Sequence, residues 1–167
     1  MILNAIVHGE RVYAETPKEV ADLIEEVMHN LSFEKADGPW VDPGEDAWFM
    51  WADKRLGESE WPDNHLQVAV NTSTGYGGLI WFVTGAAAER MDDEISNSIW
   101  ISNNPTPPEF DPRVVADPGF PLFHDRRSTI PVSLVRLALE EFCRAGTGDR
   151  PNCLGWVRGE MNGTRLE

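Results

Sequence analysis

Residues 71–83 read NTSTGYGGLIWFV, and this stretch decides how the chain is interpreted. Three glycines fall within four positions, and an apolar run follows at once. A phosphate-binding loop would need a helix after its glycines and usually a Gly-Lys-Ser/Thr ending. No lysine follows, and LIWFV is typical of a strand, so the helix N-terminus that would hold phosphate is missing. The pattern therefore predicts a hairpin turn or bulge between strands 65–70 and 78–84, with the glycines supplying positive φ.

The sequence on either side predicts two helices and further strands. In TPKEVADLIEEVMHNL (16–31), apolar residues recur at helical spacing, Thr16 is a suitable N-cap and Glu19 completes a capping box. VSLVRLALEEFCRAG (132–146) repeats the helical spacing and stops at a glycine. The other predicted strands cover residues 2–8, 11–14, 47–53, 98–102 and 153–159.

The remaining segments are predicted to connect these elements. Residues 32–46 and 54–64 read as loops rich in turn residues, and 86–97 as either a wide loop or a short helical turn. The proline-rich segment 103–131 reads as extended pieces with fixed turns or as disorder. Because strands mostly follow strands, we expect an α+β fold in a single domain, 1–167. Its mostly antiparallel sheet would have five to six strands, with two main helices packed on it.

The charge balance indicates which kinds of partner the protein can bind. The chain has 28 acidic and 14 basic residues, a formal net charge of −14. Such a protein repels nucleic acids and anionic lipids and attracts basic proteins. An alternative explanation is that the acidity serves only solubility.

The amino terminus MILNAIVHGERVYAE lacks the basic segment and long apolar core of a signal peptide. No apolar run approaches the ~20 residues that span a bilayer, so we expect a cytoplasmic protein without membrane contact. Cys143 and Cys153 fit reduced thiols in that compartment, although a disulfide between them stays open.

The sequence contains no recognisable catalytic or metal-binding set. Its four histidines are scattered without HxH, HExxH or CxxC spacing, so we expect no metal and no cofactor. The segment HDRRS (124–128) suggests an alternative, a small enzyme or ligand-binding protein with a site near His124, Asp125 and Arg126. Neighbours in sequence seldom face one another as a catalytic dyad, so a structural role for His124 is favoured.

Tryptophans lie among clustered carboxylates. Between residues 37 and 63 there are eight acidic residues and two basic ones, and three tryptophans stand beside the acids. Aromatic anchors ringed by carboxylates suit a basic protein partner, whereas core tryptophans and solvated turns are the alternative. The candidate partner-binding residues are Trp40, Asp42, Glu45, Asp46, Trp48, Glu58, Glu60, Trp61, Asp63, Tyr76, Asp92, Asp93 and Glu94.

Three parts of the sequence together resemble a bacterial immunity-protein family of polymorphic toxin systems, the first of the numbered families. These parts are HLQVAVNTSTGYGGLIWFV (65–83), DDEISNSIWIS (92–102) and the late Gly155-Trp156. Tyr76, Gly77, Gly78 and Leu79 match as fold positions, and 103–131 has no counterpart. The resemblance implies an α+β fold and a non-catalytic inhibitor that binds the toxin encoded beside it. It also implies toxins that act on nucleic acids, including cytosine deaminases.

Three hypotheses follow. The leading one is an immunity protein that occludes the basic active-site groove of a cognate toxin, a nucleic-acid deaminase or nuclease. The second is the enzyme or ligand-binding protein with its site near His124. The third is a structural protein whose acidity serves only solubility.

Overall fold

The computed structural model describes the backbone of residues 1–167 and every side chain except that of Asp37, one of the eight acids of 37–63, which lies outside the described residues. The strands are β1 (Ile2–Val7), β2 (Glu10–Ala14), β3 (Phe33–Asp37), β4 (Trp40–Gly44), β5 (Ala47–Ala52), β6 (Asn64–Asn71), β7 (Tyr76–Val83), β8 (Ile99–Asn103), β9 (Val115–Asp117), β10 (Leu122–Phe123), β11 (Ile130–Pro131) and β12 (Gly155–Gly159). The helices are α1 (Pro17–Asn30), α2 (Gly85–Glu89), α3 (Asp93–Ser96) and α4 (Val132–Ala145), with a 3-10 turn at Arg126–Ser128.

One large antiparallel sheet organises the fold. Its strand order is β12-β8-β7-β6-β5-β1-β2, and β11 adds to β7 beyond the end of β8. The α+β prediction is confirmed, and the sheet has seven to eight strands where five to six were expected. It is larger because all the predicted strands join the same sheet and because the proline-rich segment contributes β11.

The opening stretch is a hairpin, as predicted. Strands β6 and β7 pair along their whole length, from Asn64 opposite Val83 to Asn71 opposite Tyr76. The glycines, however, have two different roles. Gly75 has φ +81° and makes the turn, whereas Gly77 and Gly78 lie within β7, where neighbouring side chains approach the backbone closely.

The two long helices cover one face of the sheet. Helix α1 begins with the predicted capping box of Thr16 and Glu19, and α4 ends at Gly146 with φ +67°. Buried residues of both helices pack on alternate residues of the central strands, and Trp81, Phe49 and Phe142 are the largest fully buried side chains of this core.

Residues 32–46 form a β-hairpin, so their interpretation as a loop is wrong. Strands β3 and β4 pair only with each other, with Lys35 opposite Asp42, and Gly38 has φ +61° in the turn. The glycines and proline that suggested a loop fit here because this ribbon pairs with no third strand. Residues 86–97 contain the short helices α2 and α3.

The proline-rich segment 103–131 covers part of the second sheet face in extended pieces with fixed turns. Val114 and Val115 pack on Ala69. The segment is also held by the Asn71 side-chain amide, which donates to the carbonyls of Pro112 (3.1 Å) and Arg113 (3.0 Å). The segment is therefore an ordered cover over one end of this face.

Cys143 is buried and Cys153 is exposed, and both are free thiols. Burial raises the pKa of Cys143 to about 12, so this thiol behaves as a small apolar side chain. Across the described chain, no helix combines the length and the apolar character that a membrane crossing requires.

Candidate partner-binding surface

The cover over the second sheet face leaves an open area, which we call the aromatic groove. Side chains of β1, β5, β6 and β7 form its floor, and the loop before β6 forms one wall. Its volume is about 230 Å³. The lining residues are Ile6, Arg11, Trp48, Met50, Glu60, Trp61, Pro62, His65, Phe82 and Met161.

Three aromatic rings build the floor of the aromatic groove. His65 and Phe82 are opposite each other in the β6–β7 register and stack with 4.3 Å between ring centroids and 14° between planes. Trp48 meets both rings edge-on, at 6.1 and 6.3 Å. Burial lowers the pKa of His65 to about 4, so the imidazole is neutral near pH 7 and the floor is apolar.

Asp46, two residues before Trp48 in the chain, does not line the aromatic groove. Its carboxylate accepts a hydrogen bond from the side-chain amide of Gln67, which also donates to the carbonyl of Ala116 at 3.0 Å. Burial raises the pKa of Asp46, while hydrogen bonds from Gln67 and the Trp48 side chain lower it in part. Asp46 is thus bound within the fold rather than free for a partner.

Trp61 stands as a ridge at the edge of the aromatic groove, with 82% of its surface exposed. Trp61 also lines a second hollow of about 630 Å³, which we call the acidic depression. Its charged side chains are Asp53, Lys54, Glu60 and Asp63, and its other lining residues are Met1, Trp51, Ala52, Leu56 and Pro62. Trp61 therefore forms part of the wall of both hollows.

The carboxylates of the acidic depression differ in how far the fold uses them. Glu60 accepts from the ammonium of Lys54 and from the Gly57 amide at 3.1 Å. Asp63 accepts from the Ala87 amide at 3.1 Å, and so holds the first turn of α2. Asp53 is exposed, as is Glu58 in the same loop.

The β3–β4 hairpin carries three more of the predicted residues. Trp40 is 78% exposed. Asp42 accepts from the Gly44 amide at 2.9 Å within the hairpin. Glu45 accepts from the Ser32 amide and contacts the His8 imidazole, both at 2.8 Å, so its carboxylate mainly fixes the base of the hairpin.

The remaining predicted residues lie elsewhere. Asp92, Asp93 and Glu94 are exposed at α3, where Glu94 approaches Arg158 at 3.7 Å. Tyr76 packs edge-on against Phe110, with 5.8 Å between ring centroids. The structure thus brings Trp48, Glu60, Trp61 and Asp63 to the Trp61 ridge and its two hollows. The other predicted residues that the structure describes, Asp46, Glu58, Tyr76 and those of the hairpin and α3, line neither hollow.

The alternative site at 124–126 does not assemble into a dyad. The imidazole of His124 is 3% exposed, and burial lowers its pKa to about 4. Asp125 is engaged by the guanidinium of Arg127, which lowers the pKa of the carboxylate to about 2. The guanidinium of Arg126 donates to the carbonyl of Pro108 at 2.8 Å. Asp125 and Arg126 therefore each have a structural contact of their own, whereas Nδ1 of the buried His124 has no hydrogen-bond partner among the described residues.

Sequence reasoning missed His65, Phe82, Met50 and Met161 of the aromatic groove. Phe82 could have been paired with His65, because the turn at 72–75 fixes the register of the whole hairpin. Met161 lies outside the predicted strands, and no local pattern indicated its place.

Comparison with protein-family models gives one finding: the model described as Immunity protein Imm1 matches residues 8–158 of the 167. This range contains the central hairpin, both long helices and the Trp61 ridge. Comparison with curated proteins and with solved structures gives no match.

Proposed function

We propose that this chain, which belongs to the Imm1 family of immunity proteins, binds a cognate toxin domain whose surface is basic. The toxin acts on nucleic acid as a deaminase or a nuclease, and the immunity protein covers its active-site groove in the cytoplasm of the producing cell. Immunity families of this kind inhibit rather than catalyse. The observation that carries the proposal is the family match over most of the chain.

The charge supports a basic partner. The formal charge of −14 favours encounter with a basic domain and opposes direct binding of nucleic acid. Enzymes that act on nucleic acid carry basic grooves for the phosphate backbone, so an acidic inhibitor complements them. Inhibition needs only that the groove be occluded, and no residue of the immunity protein then has to perform chemistry.

The first test is protection in a sensitive host. We expect cells that express the toxin domain encoded beside this gene to survive when this protein is co-expressed, and the two proteins to copurify as a stable complex. A non-cognate immunity protein of similar charge is the control. Loss of the cells despite equal expression, with no complex recovered, would contradict the proposed function.

The second test addresses the basic character of the partner. We expect the association rate constant of the purified pair to fall about tenfold or more between low and high salt, because screening weakens attraction between opposite net charges. Stopped-flow measurement of the intrinsic tryptophan signal reports this rate. An association rate constant that does not change with salt would contradict a basic toxin surface but would not contradict the immunity function.

The third test addresses the toxin chemistry. The toxin domain alone, incubated with single-stranded DNA and RNA, is expected either to convert cytosine to uracil or to cut strands, and an equimolar amount of this protein is expected to stop the reaction. A toxin domain that leaves nucleic acid unchanged, yet is neutralised in cells, would contradict the nucleic-acid part of the proposal.

A further inference from the structure

We infer that the Trp61 ridge is the anchor point of the toxin interface and that it recognises a pair of side chains, one apolar and one basic. The apolar side chain enters the aromatic groove. The basic side chain lies over the acidic depression. This inference rests on the proposed function and specifies where and how the partner is held.

The aromatic groove suits an apolar occupant better than a charged one. Its floor consists of Trp48, Phe82 and a His65 imidazole that burial keeps neutral. Arg11 lines its rim and would repel a cation. The single carboxylate of its lining, Glu60, already accepts from Lys54. The lining thus offers apolar contact area and no free counter-ion for a cation.

The aromatic groove has room for an apolar side chain. A hollow of about 230 Å³ admits a large aliphatic or aromatic group. Single aromatic or apolar anchors that fill such pockets at the centre of an interface account for much of its binding energy. Trp61 would close over the inserted group from the rim.

The acidic depression supplies the charge complementarity. Among its charged side chains, Lys54 pairs with Glu60, which leaves the carboxylates of Asp53 and Asp63 without a paired cation among these side chains. Asp53 is exposed, and its carboxylate can pair with Lys or Arg of a basic domain. Because the exposed Trp61 indole forms the shared wall, the stem of that basic side chain can also pack on its face.

The exposure of Trp61 in the isolated protein is consistent with this role. An indole with 82% of its surface in water, next to an open apolar hollow, gains by burial when a partner arrives. Trp40 is exposed to nearly the same extent, at 78%, but lines neither hollow. These two tryptophans therefore form a matched pair for an experiment.

The test measures binding of the toxin domain encoded beside this gene to four variants. Trp61→Ala is expected to raise the dissociation constant about tenfold or more, mainly through faster dissociation, and Trp40→Ala to change it by about twofold or less. Ile6→Phe, which fills the aromatic groove, should weaken binding as Trp61→Ala does. Asp53→Asn should slow association and reduce its dependence on salt.

The outcomes separate this inference from the proposed function. If the wild-type protein neither binds nor protects, the immunity function itself fails. If the wild type binds and both Trp61→Ala and Ile6→Phe bind equally well, with unchanged thermal unfolding midpoints, only the anchor assignment is overturned. Loss of binding in Asp53→Asn alone would also overturn it, because the contact would then be ionic without an apolar anchor.

Discussion

Gly78 lies where β7 passes directly beneath the buried imidazole of His124. A Cβ at this position would be 2.6 Å from Cδ2 of that ring, closer than non-bonded carbon atoms approach. On the opposite side of the strand, a Cβ at Gly77 would be 2.8 Å from a methyl carbon of Val135 in α4. At the scale of single residues, the missing side chains of Gly77 and Gly78 let α4 pack on one face of β7 and the proline-rich segment on the other.

Gly78→Ala should lower the free energy of unfolding by about 1–3 kcal/mol, because the added methyl group must displace a buried ring. Gly57→Ala is the matched control, since its Cβ would meet only the Glu60 carboxylate, at 3.5 Å. Urea denaturation of both variants measures the difference. Equal free energies of unfolding for the two variants would show that His124 can move away from β7 without a measurable loss of stability.

The sequence could predict these glycines but only part of their role. A glycine cluster before an apolar run indicates a turn, and Gly75 makes that turn. The close approach of His124 and Val135 depends on residues more than forty positions away, and no local pattern contains it. Neighbouring carboxylates made Trp48 and Trp61 candidate partner-binding residues in the sequence, whereas no local pattern placed Met161 in the groove that all three line.

At the scale of secondary-structure elements, Asn71 ties the central hairpin to the cover. Its carboxamide donates to two carbonyls of the proline-rich segment, and its oxygen accepts from the Ser73 amide at 3.0 Å. A segment with few regular hydrogen bonds of its own depends on such side-chain contacts for its order.

Asn71→Ala should lower the free energy of unfolding by about 1–3 kcal/mol, because the Arg113 carbonyl loses its side-chain donor and the Pro112 carbonyl keeps only the Thr74 hydroxyl. We also expect faster amide hydrogen exchange in residues 112–124, with exchange in α1 changed only through the global loss of stability. Thr72→Ala, at an exposed position next to Asn71, is the control. Unchanged exchange in 112–124 would show that other contacts hold the cover.

The elements that were predicted correctly are those with strong local patterns. Helices α1 and α4 have helical spacing and recognisable ends, and β6 and β7 flank a glycine turn. The β3–β4 hairpin was missed because its glycines and proline indicate a loop, and its two short strands pair only with each other. The proline-rich segment was predicted only in outline, since its course is set by the sheet face beneath it.

At the scale of the whole molecule, buried histidines make stability depend on pH. The folded pKa values of His65 and His124 are about 4, below their ordinary value of 6.5. Between these values the unfolded chain binds more protons than the folded one, so stability is lost as pH falls. His8 acts in the opposite sense, because hydrogen bonds to Glu26 and Glu45 raise its pKa. Its contribution is present below pH 6.5 and is lost as pH rises through the raised value.

We therefore expect the urea midpoint to fall between pH 6.5 and pH 4, and to fall less in His65→Leu, which removes one of the two buried imidazoles. His8→Asn is the matched variant, and it should leave the contribution of His65 on the acid side in place while flattening the decline as pH rises above 6.5. Asn suits the position, where φ is +53°. An acid-side slope identical in wild type and His65→Leu would contradict the assignment to His65.

Titration of the purified toxin domain with this protein tests the proposed inhibition, with the proposed activity on nucleic acid as the quantity measured. We expect this activity to fall in proportion to added protein and to reach zero near one equivalent, as tight occlusion of the active-site groove requires. Full toxin activity in the presence of a several-fold excess of folded protein would contradict it.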